Sequence, residues 1–178
     1  FSEAGEAITF ENQGGILTGD FLGSTGFTDI FNVTTTTTTL SDDILQGVNV
    51  NVASNGILAF AGGNTIDGNL LSDGALNFDL SNAAVVVNGD VTLNSGSKVN
   101  VNDSSQVTAI GQTFTLIDVG GTLINNSTLV PTVADTSLLL DYQAVADSSG
   151  DLVVIASAAT VTPTPTVTPT PTVTPTPT

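Results

Sequence analysis

The sequence predicts an all-β chain: a β-solenoid of short strands and tight corners, followed by an extended Thr-Pro tail, with a β-sandwich of hairpins as the alternative. Three observations carry this. Apolar and polar residues alternate in VNVNV at 48–52, ALNFDL at 75–80, VTL at 91–93, KVNVN at 98–102 and TFTLID at 113–118, the pattern of half-buried strands. Turn-forming steps punctuate the strands at Asn55-Gly56, Gly62-Gly63-Asn64, Asp67-Gly68, Asp73-Gly74, Asn88-Gly89-Asp90 and Asn94-Ser95-Gly96. Helical periodicity is nearly absent, because Gly or β-branched runs break every window of helical length. The solenoid is preferred because the strands are very short, because Asn recurs at corners where stacked amides form ladders, and because aromatics, at 5%, are too few for a broad sandwich core.

Along the chain, FSEAGEAITFENQGG turns polar almost at once, which argues against a long apolar N-terminal helix. TTTTTT at 34–39 has high strand propensity. With Thr on both faces it reads as an edge or surface strand before the turn Ser41-Asp42-Asp43, or as a glycosylated spacer. From Leu76 to Val107 apolar pairs recur every six to nine residues or so. ADTSLLLDYQAVADS is the best helix candidate and also reads as a strand. The body is expected to span residues 1–160 and the stalk 161–178, three copies of VTPTPT. Proline fixes φ and biases its neighbour to extended geometry, so this tail favours polyproline II and would reach roughly 55 Å. Ser/Thr-Pro tracts also read as O-glycosylated spacers, with Thr162, Thr164, Thr166, Thr168, Thr170, Thr172, Thr174, Thr176 and Thr178 as acceptors.

Composition narrows the partners. Lys98 is the only base against 17 acids, for a net charge of -16, and only 10% of residues are charged. Nucleic acid is excluded because no cation cluster exists to displace counterions, and anionic lipid is disfavoured for the same reason. No apolar run approaches a membrane span, so no membrane insertion is expected. A surface of Ser, Thr, Asn and Gly fits an extracellular β protein. Phe1 in place of Met suggests a mature chain whose signal peptide has been removed. Cys is absent, which leaves the redox compartment open.

Catalytic chemistry lacks its parts, and the chain is expected not to be an enzyme. There is no His to activate a Ser or Thr, and Lys98, in SGSKVN, reads as a solvated strand-start residue. Asp73 with Asp79, or Asp42 with Asp43, are the paired carboxylates a polysaccharide hydrolase would use. A sugar cleft normally adds aromatics and a lyase adds a base, but Trp and Arg are absent and Tyr occurs once. No cofactor is expected. Calcium is the one metal the ligand types admit, with Asp67, Asp73 and Asp79 as weak candidates on the strength of GGNTIDGN; their reading as turn residues is preferred. N-glycosylation sequons stand at Asn32, Asn102, Asn125 and Asn126.

ALNFDLSNAAVVVNGDVTLNSGSKVNVN, GQTFTLIDVGGTLIN and TSLLLDYQAVADSSGDLVVIAS together carry a resemblance over about residues 76–157. This stretch resembles autotransporter passenger domains and autotransporter-associated β-strand repeats. In that family a Leu-rich coil precedes a Val-rich coil with an Asn-Gly corner, and a final strand pair closes the stack. The resemblance implies a right-handed parallel β-helix, secreted, and adhesive or structural. It supplies no catalytic residues.

The expected function is that of an extracellular, cell-surface structural protein. Such a protein would be a subunit of a filament or surface layer, stacking by strand or coil on copies of itself, because an uncapped solenoid exposes pairing edges at its ends. The alternative is a monomeric surface adhesin on the Thr-Pro stalk, with glycans as its partner.

Overall fold

In the computed structural model, residues 6–23, 26–102, 109–126, 132–133 and 140–158 are described. They contain strands and no helix. The first coil holds β1 (Thr9–Asn12), β2 (Gly15–Leu17) and β3 (Phe21–Leu22), and the second β4 (Asp29–Val33), β5 (Thr36–Ser41) and β6 (Ile44–Gln46). The third holds β7 (Val48–Val52), β8 (Gly56–Ala61) and β9 (Thr65–Ile66), and the fourth β10 (Leu70–Ser72), β11 (Ala75–Asp79) and β12 (Val85–Val87). The fifth holds β13 (Val91–Leu93), β14 (Lys98–Asn102) and β15 (Thr113–Val119), and β16 (Leu123–Asn125) and β17 (Thr132–Val133) follow. The described chain ends in β18 (Leu140–Ala146) and β19 (Leu152–Ala158).

Three sheets run along the stack. The first is ordered β1-β4-β7-β10-β13-β16, the second β2-β5-β8-β11-β14-β17, and the third β3-β6-β9-β12-β15-β19-β18. Pairing is parallel except in the hairpin β18–β19 and where β19 joins β15. This is a parallel β-solenoid, not a sandwich. Because the corners are short, the chain returns over its own start after three strands, and hydrogen-bonded neighbours lie about 20 residues apart in sequence. Asn88 meets Asp67 across 21 residues, whereas the last full step, Thr122 to Asp90, spans 32.

Alternation translates directly into columns. One inward column runs Phe10, Phe31, Val50, Leu70, Val91, Leu123. Another runs Phe21, Leu45, Ile66, Val87, Val119. From Phe31 to Val91 and from Leu45 to Val119 these side chains are buried, each contributing about 1.5–3 kcal/mol. The scarce aromatics cluster: Phe10, Phe21 and Phe31 pack with ring centroids 5.3 to 5.8 Å apart, and Phe60 stacks on Phe78 at 5.1 Å.

Close approach at the corners demands glycine. A Cβ on Gly74 would lie 2.3 Å from the carbonyl oxygens of both Ala53 and Gly56, and one on Gly68 would lie 2.3 Å from that of Val48.

One segment differs from its sequence expectation, and another resolves to one of its two readings. Residues 36–39 of the Thr run open β5, an interior strand between β2 and β8 rather than an edge, and Thr38 is fully buried. Inward and outward positions alternate along β5 whatever the side chain, so the backbone ladder and buried Leu40 carry the Thr run inside. ADTSLLLDYQAVADS contributes Leu140–Ala146 to β18, a strand and not a helix, which pairs antiparallel with β19 from Leu140↔Ala158 to Ala146↔Leu152.

Candidate functional site

Side-chain amides donate to side-chain oxygens along the solenoid with one polarity. A side-chain amide on a later coil donates to an oxygen on the coil before it, whereas the Ile8, Gly19 and Asp43 backbone N–H groups donate the other way, to the Asp29, Asp43 and Asn64 side chains of the following coil. Asn32 donates to Glu11 at 2.5 Å and Asn51 to Asn32 at 3.1 Å on the outer face of the first sheet. On the second sheet Asn100 donates to Asn77 at 2.8 Å. At the corner from the third sheet to the first, the backbone N–H groups of Asn69, Asp90 and Thr122 follow the same sense. Asn69 donates to the Asn49 side chain at 2.8 Å, Asp90 to that of Asn69 at 2.8 Å, and Thr122 to that of Asp90 at 2.7 Å.

The candidate calcium ligands belong to this system. Asp67 follows β9, Asp73 follows β10 and Asp79 ends β11, so they occupy three successive corners rather than one site. Each accepts an amide hydrogen bond from the next coil, from Asn88 at 2.8 Å, Asn94 at 2.9 Å and Asn102 at 2.6 Å respectively. The separation puts Asp73 and Asp79 at different corners, so they form no facing pair. Among the described residues no three His, Cys, Asp or Glu side chains gather as a metal site.

Asp42 and Asp43 are also divided. Asp42, exposed and at φ 57°, accepts from the Gly63 N–H at 2.8 Å. Asp43 is buried and accepts from the Gly19 and Ser41 N–H groups at 2.6 and 2.7 Å. Both carboxylates hold corners together. Lys98 is exposed at the start of β14.

Of the sequon residues, Asn32 is half-buried within the ladder, and Asn102 is exposed but engaged with Asp79. Asn125 and Asn126 are exposed at and just beyond β16. The tail acceptors from Thr162 to Thr178 lie outside the described residues.

Two further features stand out, and the first of them has no counterpart in the sequence reading. A groove of about 340 Å³ crosses the outer face of the first sheet, lined chiefly by Glu11, Asn32, Asn51, Ala53, Leu71 and Asp73. These residues come from four different coils, and only the register, about 20 residues per step, brings them together.

No family model, curated protein or solved structure matches the chain.

The second feature is the first coil itself. Its strands β1, β2 and β3 each terminate a sheet, so no described strand pairs with their outer edges. Phe10 is 42% exposed, Ile16 73%, Leu22 55% and Phe27 44%. The inward side chains Leu17 and Phe21 are only partly buried, so among the described residues this end of the core is open. The opposite end is built differently, because the third sheet finishes in the antiparallel hairpin β18–β19.

Proposed function

We propose that the chain is an extracellular, cell-surface structural subunit that assembles with copies of itself through its solenoid ends, its Thr-Pro tail forming an O-glycosylated spacer. The observation that carries this reading is the open first coil, where, among the described residues, three strand edges without a partner strand surround an incompletely covered apolar core. Backbone N–H and C=O groups on a strand edge are satisfied best by another strand, and the same contact would cover Phe10, Leu17 and Phe21, inward side chains left partly uncovered at this end.

At the other end, β16 and β17 keep the parallel sense of the first two sheets. A first coil placed there continues two sheets out of three. The contact is heterologous, and such contacts propagate into filaments when the rotation does not close. The resemblance of residues 76–157 to secreted autotransporter-associated repeats supports the extracellular setting, as does the hydroxyl- and amide-rich composition. The net charge of -16 opposes contact between copies and is screened by salt.

Electron microscopy and sedimentation of the purified chain across a salt series test the proposal. Filaments or concentration-dependent oligomers that grow with ionic strength are expected. A monodisperse monomer under every condition would overturn it.

A further inference from the structure

We propose that the groove on the outer face of the first sheet binds a neutral oligosaccharide about three sugar units long. It crosses four coils, from Glu11 on β1 to Leu71 on β10. Adjacent strands lie about 4.8 Å apart, so its length is about 14 Å, and one pyranose ring spans about one strand spacing. Its volume of about 340 Å³ falls within the range of small-ligand sites.

The polar groups bordering it have capacity to spare. The ladder Glu11–Asn32–Asn51 stops at Leu71, the residue beside Asn51 on the next coil. Leu71 offers neither donor nor acceptor, so the Asn51 side-chain carbonyl and its second N–H are left unmatched within the ladder. Asn94 occupies one oxygen of Asp73, and Asn32 occupies one oxygen of Glu11. A sugar hydroxyl is both donor and acceptor. It donates to the remaining carboxylate oxygens and accepts from the Asn51 amide. Leu71, 37% exposed, and Ala53 provide an apolar ledge for the C–H face of a ring.

Charge selects the class of saccharide. The groove contains two carboxylates and no base, and the chain's single cation, Lys98, sits on the second sheet. Acidic saccharides are therefore repelled. With no aromatic ring to stack on, affinity for one groove is on the order of millimolar, and an array of copies would raise it by avidity.

The test is amide chemical-shift mapping by NMR on the protein at low salt, with cellotriose, maltotriose and trigalacturonate as probes. Saturable shifts at Asn51, Leu71 and Asp73 with a neutral trisaccharide are expected. Asn51→Leu should weaken them by ~10-fold or more through lost hydrogen bonds, and Asp73→Asn, which leaves an acceptor for Asn94, by ~3-fold or more. Thr92→Val, on the same face one coil beyond the groove, should leave binding unchanged. The proposal is overturned by the absence of groove shifts with both neutral probes up to ~50 mM, a ceiling well above millimolar affinity, by shifts that persist in Asn51→Leu and Asp73→Asn, or by tighter binding of trigalacturonate.

Discussion

Asn88 donates its side-chain amide to the carboxylate of Asp67 at 2.8 Å, one coil earlier in the stack. The same relation joins Asn94 to Asp73 and Asn102 to Asp79. Strands in a sheet are about 4.8 Å apart, close enough for stacked like charges to repel by about 1 kcal/mol in water and more where partly shielded. Placing an amide above each of these carboxylates turns that repulsion into a hydrogen bond. It lets a chain with 17 acids and one base stack coil on coil.

This relation is reversible on paper and testable in solution. Asn88→Asp should lower stability by about 1–2 kcal/mol, combining a lost hydrogen bond with charge repulsion. Adding Asp67→Asn should restore most of it, because the exchanged pair can bond in the opposite sense. Thermal unfolding of the two single variants and the double variant gives the coupling energy; additive losses would argue against the pairing.

Gly74 has no room for a side chain between the Ala53 and Gly56 carbonyl oxygens. Gly74→Ala should destabilise by about 2 kcal/mol or more, since backbone must move to accept it. Gly63→Ala is the control, its nearest neighbour being the Ala83 Cβ at 3.7 Å. Denaturant midpoints of the two variants should differ clearly.

Thr38 is fully buried, and its hydroxyl has no hydrogen-bond partner. An unsatisfied buried polar group costs about 1–3 kcal/mol, so Thr38→Val, which keeps the shape, should stabilise the solenoid. A higher melting temperature is the expected outcome. A lower one would show that the hydroxyl is satisfied in solution.

Phe10 faces inward at the uncovered end of the core and is 42% exposed. Phe10→Thr should leave the monomer folded, at a cost of about 1–3 kcal/mol for the lost packing. Under the proposed end-to-end assembly it should markedly reduce polymer formation, read by sedimentation at matched salt. Unchanged polymer would place the contact elsewhere.

Much of the fold was legible because the strand period is two and the corner chemistry is local. VNVNV at 48–52 becomes β7 with Val48, Val50 and Val52 all inward. The Asn-Gly and Asp-Gly steps mark real corners. The Thr run misled because its pattern holds no apolar contrast, so nothing local shows that Thr38 faces the core. The site was less legible. Asp67, Asp73 and Asp79 stand six residues apart in sequence and look like one acidic cluster, yet six residues here carry the chain along one side of the solenoid to the next corner.

The sequence alone determined the all-β character, the short strands and the turn positions, since each depends on residue type or on neighbours a few places away. Tertiary structure decided the register. Which Asn lies over which Asp, which coil is left open, and which outward residues from four coils meet in one groove all depend on pairings about 20 residues apart. Those pairings follow from the summed length of three strands and three corners, a quantity no local pattern encodes.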